Sequence, residues 1–184
     1  MEVIKTEIED VVIIEPRLFK DERGYFFESF SQREFDEKVC HVTFVQDNES
    51  MSSYGVMRGL HFQRPPFTQA KLVRCVKEPC LTSQLTFVRL AHIRQACTVE
   101  LTEDNHRQFF IPKGFAHGFA VLSETAMFLY KCDEFYHPEA DGGISILDGS
   151  LGIDWCIPTE HAILSEKDTK HPLLKDFESP FIYK

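Results

Sequence analysis

Along most of this chain apolar and polar positions alternate in short runs, the period of two that a half-buried β-strand imposes. Val11 to Glu15 is a β-branched run closed by Pro16, and DERGYFFESF (21–30) places a turn at Arg23-Gly24 ahead of an aromatic strand. VTFVQDNESMS (42–52), VMRGLHFQ (56–63) and AKLVRCV (70–76) continue the series, separated by Ser-Ser-Tyr-Gly and Arg-Pro-Pro turns. RQFFIPKGFAHGFAVLS (107–123) and AMFLYKCDEFY (126–136) resume it. One helix is expected over 31–38, where Ser31 can cap, Glu34 takes the capping-box position and Phe35 faces inward. The tail from Pro158 is mixed, with room for a short helix. Many short strands with frequent turn signals predict a mainly β fold, an antiparallel sandwich or barrel of jelly-roll type.

The punctuation fails in one place. Between Gly59 and Gly114 there is no glycine, and from Glu78 through Glu103 there is no Gly, Asn or Asp, the residues that let tight hairpins reach positive φ. KEPCLTSQLTFVRLAHIRQACTVEL (77–101) therefore has β-like neighbours on both sides and no turn chemistry of its own.

Composition narrows the function classes. At 184 residues the chain fits one domain, taken as 1–184. A formal net charge of −9 without a Lys/Arg-rich run argues against a nucleic-acid binder, whose footprint is basic. The N-terminus carries no apolar signal-like region and no stretch approaches the roughly 18 apolar residues of a membrane span, so the expectation is a soluble cytoplasmic protein with no membrane partner. Six cysteines without a CxxC pair read as free, mostly buried thiols. Seventeen phenylalanines against one tryptophan suit a core of packed strands.

Chemistry enters through polar residues set inside strand patterns: Arg58 and His61 in RGLHFQ, Lys71 in AKLV, His117 in PKGFAHGF and Tyr130 in FLYK. Any one of these is more often a solvent-facing residue than a ligand. Five in the same setting point to a polar-lined cavity inside the sheet. A metal is the rival reading for His61 and His117, because PKGFAHGF has the Pro-x-Gly-x-x-His form of the second metal motif of cupin barrels. The first motif needs His-x-His, and here His61-Phe62-Gln63 has no second histidine, so the residues argue against a tight metal site and leave room only for a weak one; no metal is assigned.

Taken together, DERGYFFESF, FVQDNESMS, GVMRGLHFQRPPFTQAKLVRC, FFIPKGFAHGFAVLS, YKCDEFYHPEADGGI, LGIDW and LSEKD closely resemble the dTDP-4-dehydrorhamnose 3,5-epimerase family over nearly the whole chain. The resemblance implies a metal-free cupin-type jelly roll, working as a homodimer without a cofactor in dTDP-L-rhamnose biosynthesis for cell-surface polysaccharide. Its substrate is a dTDP-sugar with a ketone at carbon 4, which acidifies the C–H bonds at carbons 3 and 5. By position, the resemblance makes His61 the general base, Asp168 its carboxylate partner, Tyr130 the acid and Lys71 the stabiliser of the enolate oxygen. It puts His117 in the same pocket. For the nucleotide end it implies Arg23, Phe26, Glu28, Gln46, Asn48 and Tyr136, with Arg58 and Lys167 neutralising the diphosphate.

The stretch without turns is where the chain departs from this family. Family members carry there a strand of the type Gly-x-Val-x-Asp-Val-x-Val-Asp-x-Arg, a Lys-Gly-Ser-Pro-Thr turn and a second strand. Back-translated one base out of frame, residues 77–89 give Gly-Ala-Val-Pro-Asp-Val-Ala-Val-Asp-Ile-Arg-Lys, and a second offset gives Ser-Pro-Thr-Phe-Gly-Lys-His-Val. We therefore read 77–98 as out of frame, with single-base losses near Lys77, near Arg89 and before Thr98, and assign it no site residue. As written, the segment lacks the strand acids of the family, one of which supports the histidine numbered His117 here, and activity is in question. The rival functions are an epimerase acting at carbon 3 only or on a related nucleotide-4-ketosugar, an inactive sugar-nucleotide-binding cupin, and a metal-dependent cupin oxygenase.

Overall fold

A computed structural model describes residues 1–77, 83–89 and 96–181. Its strands are β1 (Glu2–Lys5), β2 (Val12–Glu15), β3 (Phe19–Asp21), β4 (Gly24–Phe26), β5 (Gln46–Ser53), β6 (Met57–Gln63), β7 (Lys71–Lys77), β8 (Ser83–Arg89), β9 (Ala96–Leu101), β10 (Gln108–Ile111), β11 (Phe115–Val121), β12 (Thr125–Cys132) and β13 (Asp141–Gly143). Among the described residues the one α-helix, α1 (Gln32–Lys38), begins where expected: the Ser31 side chain accepts from the Glu34 N–H, and Phe35 is buried. The tail from Pro158 forms short 3-10 turns at Thr159–His161, Asp168–Lys170 and Leu174–Asp176.

Two antiparallel sheets face each other, ordered β1-β2-β10-β7-β12-β5 and β13-β6-β11-β8-β9, with β3-β4 a separate hairpin. This is the jelly roll that the strand pattern predicts, of the cupin type that the family resemblance implies. The run 107–123 is divided, because Pro112 cannot donate to a ladder and the turn after it sends β10 to one sheet and β11 to the other. β1 and β13 were not legible in the alternation. Of the segment read as out of frame, 83–89 pairs as β8 with β11 and β9, while 78–82 and 90–95 lie outside the described residues.

Alternation decides what meets what. On β11, Phe115, His117, Phe119 and Val121 point between the sheets, whereas Ala116 and Ala120 point outward onto Met57, Leu60, Ile144 and Trp155, beneath the C-terminal tail. On β7, Lys71, Val73 and Cys75 point inward, while Leu72 joins Phe35, Phe110 and Ile14 under α1. At one end the space between the sheets is dry, filled from both sheets by Val73, Phe109, Phe128, Val99, Leu101 and Val121. At the other end it is lined by polar side chains.

One break in alternation shapes that polar end. Arg58 and His61 both face inward although three positions apart, which requires an irregularity between them; the β6–β11 register shifts there, between His117 and Phe119. Gly59 and Gly118 cross at this point. A Cβ on Gly118 would stand 2.5 Å from the Arg58 carbonyl oxygen, and one on Gly59, whose φ is +130°, would stand 2.5 Å from the Gly118 Cα. Two glycines here let the strands close, and the closed crossing brings His61 opposite His117.

Candidate active site

Two adjoining cavities of about 260 and 250 Å³ share His61, Lys71 and Tyr130. The outer one adds Gln46, Asn48, Tyr136, Asp141 and Lys167; the inner one adds Ser50, Arg58, His117 and Phe119. His61 projects from the five-stranded sheet, and Lys71 and Tyr130 project from the six-stranded sheet, so the groups stand on opposite walls.

Behind His61 lies Asp168, at the start of a 3-10 turn and 3% exposed, with its Oδ1 2.5 Å from His61 Nε2. A carboxylate only accepts, so Nε2 carries the proton and the lone pair sits on Nδ1. The Ser165 hydroxyl donates to the other carboxylate oxygen at 2.8 Å. Burial works to raise the Asp168 carboxyl, but the hydrogen bonds from His61 and Ser165 outweigh it and hold the group below its usual range. The result is an anion that fixes one imidazole tautomer.

The facing wall has different electrostatics. Lys71 is half-buried as a whole, and desolvation at its inward-pointing end lowers the ammonium to about 8 despite the Cys132 thiol nearby. Its Nζ meets Nε2 of His117, whose own proton affinity is pushed well down, first by burial and then by the Lys71 and His61 charges. His117 is thus a neutral acceptor that aims the lysine. Burial raises the Tyr130 phenol, keeping it protonated and able to donate.

A metal held between His61 and His117 does not fit these residues. The position of the second motif histidine is Gln63, whose amide bonds the Phe67 and Phe135 carbonyls and the His137 N–H, and an ammonium occupies the His117 nitrogen.

The mouth is organised by Asp141, which the sequence did not single out: it pairs with Lys167 and accepts from the Tyr136 hydroxyl at 3.0 Å. Gln46 donates to Asn48 at 2.9 Å and accepts from the Tyr136 N–H. Gln63 and Gln69 were also missed; Gln69 bonds the Glu134 carbonyl, and together they pin the loop that carries Tyr136. Cys132 lines the outer cavity two positions beyond Tyr130, where alternation alone would have put it.

Two expectations meet a different arrangement. Arg23, Phe26 and Glu28 do not line the cavities of the single chain: they sit on or beside the β3-β4 hairpin, where Phe26 is 69% exposed and Arg23 pairs with Asp21. Arg58 and Lys167, grouped together for one diphosphate, line different halves of the cavity, and Arg58 Nε donates to Ser52 at 3.2 Å.

Residues 5–176 match the family model described as dTDP-4-dehydrorhamnose 3,5-epimerase. The enzyme of that name from Escherichia coli (strain K12) is 49% identical over 178 residues, covering 92% of each chain. Among solved structures, the dTDP-4-dehydrorhamnose 3,5-epimerase of Elizabethkingia anophelis superposes with a TM-score of 0.89 at 47% identity, covering 96% of this chain and 97% of that one. The 3,5-epimerase of Legionella pneumophila, solved with dTDP-4-keto-L-rhamnose, gives 0.90 at 43% identity, covering 96% and 94%. A jelly roll with a histidine–aspartate pair facing a lysine and a tyrosine, matched over nearly its full length, places this chain among the isomerases of the dTDP-4-dehydrorhamnose 3,5-epimerase family.

Proposed function

We propose that this chain inverts carbons 3 and 5 of dTDP-4-dehydro-6-deoxy-D-glucose to give dTDP-4-dehydro-L-rhamnose, moving protons only. The observation that carries this reading is the opposition of His61–Asp168 on one sheet to Lys71 and Tyr130 on the other. Nδ1 of His61 takes the proton beside the ketone, and Asp168 stabilises the imidazolium formed. Lys71 holds the enolate oxygen as charge develops there. Tyr130 returns a proton from the opposite face, which inverts the centre. In deuterium oxide, label is expected at both carbons of the product. Label at carbon 3 alone identifies a 3-epimerase, and no label leaves a binding protein.

The nucleotide end is completed by a second copy in this reading. Arg23, Phe26 and Glu28 stand on an exposed aromatic hairpin away from their own cavity, as a residue lent to a partner's site would. The hairpin of one chain supplies the nucleotide contacts of another in a homodimer, with Gln46, Asn48, Tyr136 and Lys167 from the receiving chain. Mixing Arg23→Ala with His61→Asn chains is then expected to recover activity that neither has alone, since a mixed dimer holds one intact site. Failure of recovery in demonstrated mixed dimers removes the exchange. The setting we propose is cytoplasmic.

For 77–98 we propose a frame lesion in the reading rather than a divergent strand. Sequencing the gene across codons 75–100 is expected to yield the three missing bases and the strand acids. A clean read encoding the residues as written ends that proposal.

A further inference from the structure

The reaction uses one face of His61; its other face holds a second imidazole with no assigned task. His171 ends the turn that Asp168 begins, its N–H directed to the Asp168 carbonyl, so both side chains approach His61 from the same side. Its ring meets the His61 ring edge to face, centroids 5.4 Å apart at 81°. Its side chain is 10% exposed, and its Nδ1 is buried with no hydrogen-bond partner, 3.9 Å from Asp168 Oδ1. The ring occupies a niche that exists only because position 143 has no side chain: a Cβ on Gly143 would stand 2.3 Å from its Cε1 and 2.5 Å from its Nδ1. Gly143 is itself the strand partner of His61. A buried nitrogen without a partner is costly, and here it is aimed at a carboxylate already shared with another imidazole.

We propose that His61, Asp168 and His171 form a binding site for a zinc-class divalent cation, and that its occupation switches the epimerase off. One donor atom from each residue lies within 4.8 Å of the others. Tetrahedral zinc with bonds near 2.0–2.1 Å needs donors about 3.4 Å apart; the His61–Asp168 pair at 2.5 Å opens by about 0.9 Å as the metal replaces their shared proton, and His171, now 3.9 Å from Asp168 Oδ1 and at the end of a single 3-10 turn, closes onto the ion. Two imidazoles and a carboxylate favour zinc, cobalt or nickel over magnesium or calcium, which take oxygen.

Inhibition follows from tautomer bookkeeping. In the metal-free site Nε2 of His61 bears the proton and Nδ1 the lone pair. A cation bound at Nε2 takes that nitrogen's lone pair, and the ring proton moves to Nδ1, where the substrate needs a base; no proton is gained or lost overall. The metal sits behind the imidazole, outside the sugar cavity, so substrate still binds. This inhibitory step rests on the reading of His61 as base; the binding site does not.

Two measurements on the chelator-treated full-length protein separate these. Cobalt is expected to bind one equivalent with visible d–d bands and no thiolate charge-transfer absorption, and His171→Asn is expected to abolish that spectrum. Zinc buffered at increasing free concentration is expected to lower kcat with KM unchanged, reversibly by chelator, and His171→Asn to need at least tenfold more zinc for half inhibition of its own rate. Should that variant not fold, zinc is expected to shift the imidazole nitrogen resonances of both His61 and His171 in the parent chain. A cobalt spectrum of thiolate type, a spectrum unchanged by the substitution, or unshifted imidazole resonances overturns the site. Cobalt bound at this site with full epimerase activity overturns instead the assignment of His61 as base.

Discussion

Replacing His61 by asparagine is expected to slow deuterium entry from solvent at carbons 3 and 5 by about 10³-fold, within the 10²–10⁴ that a positioned general base contributes. Asparagine can still donate to Asp168 from its amide, so the 2.5 Å contact that anchors this part of the site has a substitute. What it lacks is a basic lone pair where Nδ1 stood. KM should move little, because the residue meets the sugar at one C–H and the nucleotide is held elsewhere. Rates at both carbons should fall together if one base serves both; a variant within tenfold of the parent would leave the base unassigned. Product analysis alone is a poor readout, since inversion needs two successful transfers, whereas exchange reports the first.

Lys71→Met is expected to reduce kcat by about 10²-fold or more, the loss seen when one preorganised oxyanion partner is removed. Methionine keeps the length and apolar character of the stem and removes only the charge. The pH profile supplies a second sign. Burial places the Lys71 ammonium at about 8, below its ordinary value, so the cation is present below that pH and is lost above it. For the free enzyme, kcat/KM should therefore fall as pH rises through about 8, and the Lys71→Met profile should lack that limb. His117 does not offset the loss, because burial and the neighbouring charges keep it neutral. A parent profile flat to pH 10 would place the ammonium above that range, and a Lys71→Met variant with the parent's kcat would mean that the lysine does not act through its charge.

Most of the inner wall was legible because alternation is local. Tyr130 and Cys132, His117 and Phe119, Lys71 and Val73 each follow from a period of two once one member is placed. The helix was legible from Ser31 and Phe35 for the same reason: cap and apolar position lie within a few residues. Arg58 and His61 facing one way was not legible, since it depends on a register shift opposite β11, which no property of RGLHFQ announces. Asp141 and His171 were missed because they lie on short turns and an edge strand, where position is set by distant partners: Lys167 and Tyr136 for one, Gly143 and Asp168 for the other. For Arg23, Phe26 and Glu28 the nucleotide role came from the family resemblance alone, and nothing in DERGYFFESF announces that the hairpin stands away from the cavity of its own chain.

The dry end of the sandwich has a consequence for stereochemistry. His61 belongs to one sheet and Tyr130 to the other, and the packed rings and branched side chains from both sheets at the closed end hold those sheets apart. Phe109 and Phe128 thus act as spacers that set the gauge between the two walls, which in the proposed reaction withdraw a proton on one side and supply one on the other. In the proposed reaction a ketosugar held in that gap would meet a different wall with each of its faces, so inversion is built into the layering of the fold, and the thickness of the apolar core that backs the inner cavity becomes a parameter of handedness.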